Sequence, residues 1–156
     1  MHNRILTLLI VITGMVLVTA CDDDDNPPPP APSNVKVFVT SLSYSGNRAG
    51  LDGADAACTE AATSAGYTGT WTAWLSDNIN NINAADRIFT GGAPYETVTG
   101  TVIAANFTDL TDGILDTPII IDEFGNAVPQ NFQTWTATAV DGTNTGGSCQ
   151  GWTTAD

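Results

Sequence analysis

The sequence predicts an α+β domain, and three observations predict it. An alternating β-branched run, Val35-Lys36-Val37-Phe38-Val39-Thr40, opens the folded part, and one alanine-lined helix follows. The remainder is a series of short apolar or alternating runs separated by glycine, aspartate and asparagine. Period-two alternation sends successive side chains to opposite faces, so 35–40 reads as a strand. The glycine-rich stretch Ser45-Gly46-Asn47-Arg48-Ala49-Gly50 turns the chain. Asp52 is the expected N-cap of a helix in which Ala54, Ala57, Cys58, Ala61, Ala62 and Ala65 recur at helical spacing. Gly66 is its expected C-terminal stop. An alanine face permits close approach, so this helix is expected to pack on a sheet with Cys58 turned inward.

The next run, Trp71-Thr72-Ala73-Trp74-Leu75-Ser76, places Trp71 and Ala73 on one side of an extended chain and Thr72 and Trp74 on the other. A polar, helix-like segment is expected from Asp77 to Ile88. Tyr95 to Ala105 and Pro118-Ile119-Ile120-Ile121 read as further short strands, joined through Asp109-Leu110-Thr111-Asp112-Gly113. Phe132-Gln133-Thr134-Trp135-Thr136-Ala137-Thr138 alternates again and reads as a strand. The loop from Gly142 to Gly147 then leads to Cys149-Gln150-Gly151-Trp152. No internal repeat is visible.

Ahead of the domain, Arg4, an apolar run from Ile5 to Val18 and Val18-Thr19-Ala20-Cys21 follow the order of a bacterial lipoprotein signal peptide with its lipobox. The run holds Thr7, Thr13 and Gly14 and falls short of the roughly 20 apolar residues a membrane span needs. The expected organisation is therefore a signal peptide at 1–20, a lipidated Cys21 with an acidic and proline-rich tether at 21–34, and the domain at 35–156. Asp22 to Asp25 repel one another and Pro27 to Pro30 favour an extended chain, so the tether should hold the domain away from the bilayer. An acidic run after the lipidated cysteine resembles a surface-export signal, which favours the outer membrane or cell surface. Aspartate directly after that cysteine resembles an inner-membrane retention signal, and a plain charged spacer is the third reading.

After removal of 1–20, only Lys36, Arg48 and Arg87 oppose 17 acidic residues. Such a surface repels phosphate backbones and excludes a nucleic-acid partner. His2 is the single histidine and leaves with the signal peptide, which removes Ser-His-Asp and Cys-His catalysis and histidine-bound zinc together. Lys36 sits on a strand, so serine, threonine and cysteine lack their usual activating bases. Catalysis survives only as a carboxylate pair on a glycoside, for example Asp122 or Glu123 with a distant aspartate. Carboxylates are so abundant here that this signal is nearly empty, and the chain is read as not an enzyme.

The order KVFVTSLSYSGNRAGLDGADAACTEAATSAG, WTAWLSD, ADRI, DGILDTPIIIDEFGN, TWTAT and CQGWT resembles a family of bacterial lipoprotein domains of undefined function related to endostatin and the C-type lectin-like fold. The resemblance covers Val35 to Trp152, and WxAWLSD after a cysteine-bearing alanine helix is its most specific part. It implies a C-type lectin-like, endostatin-like domain whose role is binding: adhesion, or recognition of a host or matrix glycan or protein. A structural envelope lipoprotein without a ligand site is the alternative. In that family the sequence continues beyond the CxxW element to a final cysteine-bearing strand, whereas this chain stops at Asp156. The resemblance thus implies an incomplete domain in which 35–40 becomes an exposed edge. Cys58 and Cys149 either bond each other or stay as unpaired thiols in an exported chain, and the resemblance favours the second.

Two further site readings remain. Asp109, Asp112, Asp116, Asp122 and Glu123 lie close together in sequence and carry the oxygen ligands calcium prefers. Their spacing is not that of an EF-hand, and the sugar-binding motifs of C-type lectins are missing, so a solvated acidic loop is the simpler reading and no cofactor is assigned. Trp71, Trp74, Trp135, Trp152, Tyr44, Tyr67 and Tyr95 are ring types that stack on sugars. Most are expected in the core. Trp152 and Tyr95 border loops and are the candidate ligand contacts.

Overall fold

The computed structural model describes residues 33–88, 91–129 and 133–155. The expected signal peptide, Cys21, the tether up to residue 32, and Phe132 lie outside the described residues. Among the described residues no helix is long and apolar enough to cross a membrane.

The fold is a small α+β arrangement around a three-stranded mixed sheet of order β1-β2-β3. Strand β1, Val35–Val37, runs parallel to β2, Tyr95–Thr97, in the register Val35 with Tyr95 and Val37 with Thr97. Strand β3, Val102–Ala104, returns antiparallel to β2. A tight turn makes that hairpin: Gly100, at φ 89°, donates to Thr97 O at 2.9 Å, and Thr97 donates to Thr101 O at 2.8 Å. The sheet's core is Tyr95, Ile103 and Ala104, with Val35, Val37, Ile88, Phe107, Leu110 and Ile119 packed against them. Among the described residues β1 therefore has a strand on one side only.

Helix α1, Gly50–Ser64, buries Ala54, Ala57, Ala61 and Ala62, as the spacing predicts. Its start is different. The chain enters through Ala49 at φ 59° and Gly50 at φ 86°, no side chain caps it, and Asp52 lies inside the first turn. There its charge favours the positive end of the helix without closing it. The entry is so tight that a Cβ at Gly53 would lie 1.7 Å from Arg48 O. The other end is a Schellman motif: Gly66, φ 85°, donates to Thr63 O at 2.9 Å and Tyr67 to Ala62 O at 2.9 Å. Its main partner is not the sheet: α1 packs on the C-terminal turn at Cys149–Trp152.

Three expected elements change form. The 77–88 segment is a loop closed by paired hydrogen bonds between Asp77 and Ile82, each 2.8 Å, followed by a single 3-10 turn at Ala84–Asp86. Residues 118–121 form no strand; only isolated bridges join Val39 to Asp122 and Ile121 to Ala127. The described part of 132–138 is also not a strand, because Ala137 sits at φ 51° and turns the chain; a lone bridge joins Thr138 to Asn144. Trp135, expected in the core, is 61% exposed. A short helix α2, Phe107–Leu110, is capped by Asn106, whose side chain accepts from Asp109 N at 3.1 Å.

The C-terminal end folds into a left-handed turn. Cys149, Gln150, Gly151 and Trp152 have φ of 48°, 53°, 69° and 65°. For a non-glycine residue this costs about 1–2 kcal/mol, so the turn must be held from outside. Ser148 Oγ accepts from Gly151 N at 3.1 Å, Arg48 N donates to Trp152 O at 2.8 Å, and Trp152 Nε1 donates to Ser76 O at 2.8 Å.

Candidate functional site

Beside the free edge of β1 lies an apolar groove of about 520 Å³, within the range of about 300–1,000 Å³ usual for ligand clefts. One wall is Val35 to Phe38, four consecutive residues. Since neighbours in a strand point to opposite faces, a cavity touching all four meets the strand side-on. The facing wall is Thr70 to Trp74, again consecutive, with Cys58 of α1 behind it; the sheet-core residues Tyr95, Ile88 and Leu110 line its floor, and Leu115, Ile119 and Val140 are also in the lining. The two walls touch at one end, where the Phe38 and Trp71 rings are 5.0 Å apart. Tyr67 flanks Trp71 at 6.0 Å, and Trp74 rests on Phe107 at 6.5 Å.

The 70–74 wall is positioned by an ion pair. Arg87 Nη2 donates to both Asp55 carboxylate oxygens, at 2.7 and 2.6 Å, and Nη1 donates to Ala73 O at 2.9 Å and Leu75 O at 3.2 Å. Asp55 Oδ1 also accepts from Ala73 N at 2.8 Å. A bidentate guanidinium fixes distance and orientation together, so helix α1 holds the extended stretch without any strand pairing. Farther on, Asp77 is buried and fully occupied. It accepts from Ile79 N at 2.8 Å, from Asn80 Nδ2 at 2.6 Å and from Ser148 Oγ at 3.4 Å. Burial alone would raise its carboxyl, but these hydrogen bonds outweigh burial and hold it below the usual carboxylate range. The WLSD and CQGW motifs are thus the two sides of one internal lock.

The predicted site residues are distributed as follows. Tyr95 lies under the groove at 1% exposure, and Trp152 is the 3% exposed anchor of the left-handed turn. Neither presents its ring to solvent, because the sheet core claims the first and the carbonyl of Ser76 the second. Cys58 and Cys149 are free thiols. Cys58 borders the groove, and burial, reinforced by the Asp55 charge, pushes its thiol up to about 11, so it is protonated at neutral pH and a poor nucleophile. Cys149 is buried against Gly46, where a Cβ would come within 2.6 Å of its Sγ.

The five carboxylates read as calcium donors do not converge. Asp109 accepts from Ala105 N at 2.6 Å, Asp112 from Ile114 N at 2.8 Å, and Asp122 from Phe124 N at 2.9 Å and Asn126 N at 2.8 Å. Glu123 accepts from Ser41 N at 2.7 Å, and Asp116 stands exposed beyond Leu115. Main-chain donors take oxygens of four of the five, and no group of three or more metal-ligating side chains is placed to hold an ion among the described residues. The sequence reading missed the groove's rim. Leu115 and Val140, both in its lining, are exposed at 37% and 71%, and each is followed in the chain by an exposed aspartate, Asp116 and Asp141. An apolar pair inside an acidic loop, Asp112-Gly113-Ile114-Leu115-Asp116, was the available signal. No protein-family model matches the chain, and no curated protein matches it significantly.

Proposed function

We propose that this chain is a lipid-anchored envelope protein, attached to the bilayer through acylated Cys21 and facing outward, whose C-type lectin-like domain binds a glycan or extracellular protein in adhesion or in host or matrix recognition. The observation that carries the binding role is the apolar groove with an exposed apolar rim. Solvent-facing Leu115 and Val140 beside a cleft walled by Trp71 and Trp74 are what a recognition surface requires. The lipobox pattern and the acidic tether support the anchor and the outward address. Binding in place of catalysis accords with a mature chain that lacks histidine and carries a protonated groove thiol.

The test has two parts. Labelled palmitate should enter the wild-type chain and not Cys21→Ser. The chain, probed on an array of glycans and matrix proteins, should give hits that Val140→Lys removes. A blank array would remove the binding reading. A second reading, a structural envelope lipoprotein, is favoured by one observation: the polar motif residues Asp55, Asp77, Arg87 and Ser148 are all spent on internal contacts.

A further inference from the structure

We infer that the groove receives an extended, cationic polypeptide segment, which adds to the free edge of β1 as a further strand. This deepens the binding reading above and rests on it. Main-chain pairing comes first. Val35 N donates to Pro94 O and Val39 N to Ile121 O, at 2.8 and 2.9 Å. Residues of this parity face the sheet, so Lys36 and Phe38 present their N–H and C=O groups to the open side. Across the groove, the main chains of Trp71, Thr72 and Trp74 make no hydrogen bond to a described residue. The indole Nε1 of Trp71 is likewise buried without a partner.

Unpaired donors and acceptors beside an apolar cavity are costly, and the ligand that satisfies both walls at once is another extended main chain. A sugar or an acyl chain leaves the ladder of amides unanswered. The charge of the rim then selects the side chains. Asp116 and Asp141 are exposed and directly follow the lining residues Leu115 and Val140, while Lys36, the one cation in the lining, is engaged with Glu96 at 2.5 Å. A segment alternating aliphatic with lysine or arginine residues meets the apolar floor with one face and the acidic rim with the other. A second copy of this chain brings the same acidic excess and is repelled.

The probe is a capped, fluorescent peptide alternating valine with lysine, titrated into the full chain by anisotropy. Saturable binding is expected, weakened at least about tenfold by Val140→Lys and by Leu115→Lys, with melting temperature unchanged. Methylating alternate peptide amides, so that the strand edge cannot pair, should abolish it. Equal binding of the methylated peptide would overturn strand addition, and equal binding of a valine-glutamate peptide would overturn the charge selection. If no peptide binds while the chain still captures a matrix protein or glycan on an array, the inference fails and the binding reading stands. If both are blank, both fail.

Discussion

The lock between the 76–78 segment and the C-terminal turn stands in contrast with the groove only a few residues away. In the lock the buried polar side chains are paired: Asp77 accepts from Ile79, Asn80 and Ser148, and Trp152 donates its indole hydrogen to Ser76. In the groove, the indole of Trp71 and the main chain of Thr72 have no described partner. The same short motif, WTAWLSD, spans both. Its second half stabilises the fold and its first half is left open, which separates the residues that make the domain from those free to meet something else.

The largest expected break lies on the locked side. Gly53→Ala puts a Cβ 1.7 Å from Arg48 O, and backbone cannot yield as a side chain can. A loss of more than about 4 kcal/mol is expected, seen as disappearance of the cooperative thermal transition in circular dichroism. Arg87→Met strips the carbonyls of Ala73 and Leu75 and the Asp55 carboxylate of their shared donor. Buried pairs lose about 3–5 kcal/mol when broken; because the Asp55 side chain is 29% exposed, about 2 kcal/mol is expected from urea unfolding. This variant also frees the groove wall, so it should weaken ligand capture, unlike Gly46→Ala, whose clash is with Cys149 alone among side chains.

Trp152→Phe keeps an aromatic ring but loses the pyrrole half of the indole and its donor to Ser76 O, leaving a small cavity and a buried carbonyl unpaired. A loss of about 1–3 kcal/mol is expected in chemical denaturation, with groove binding retained. Acid should act through the same lock. The depressed Asp77 carboxyl contributes stability that is present above its unfolded value of about 4 and is lost as pH falls through the lower folded value. Glu96, lowered by the hydrogen bonds from Lys36 and Asn34, adds with the same sign. The denaturation midpoint should therefore drop between about pH 5 and about pH 2, and Asp77→Asn should flatten that drop. The smallest stability effect belongs to the open side: Val140→Lys, at a residue 71% exposed, should change stability by no more than about 0.5 kcal/mol while abolishing capture.

Much of the scaffold was legible in the sequence. Alternation over 35–40 found a strand that the structure keeps at Val35–Val37, half-buried throughout, and alanine spacing found the buried face of α1. The failures have a shared cause. Thr134 to Thr138 alternates like a strand, but Ala137 adopts a left-handed conformation that no side-chain pattern announces, and Trp135 is consequently left in solvent. Asp52 looked like a cap, yet the helix begins earlier because Ala49 and Gly50 turn the chain before it. The candidate site was the least legible part. Tyr95 and Trp152 were singled out as rings beside loops, while the groove is made by chain edges and by which main-chain groups remain unpaired, a property of tertiary arrangement.

The left-handed turn also sets an order in time. Its anchors, Arg48 and Ser76, stand 104 and 76 positions before Trp152, and Asn78 accepts from Ser148 across 70. Helix α1 and the β2–β3 hairpin can close over short loops, but the lock must wait for one of the longest loops in the chain, with its larger closure entropy. Loop-closure entropy therefore favours the lock forming after those local elements, so the contacts of Ser76 and Asp77 are the expected late ones.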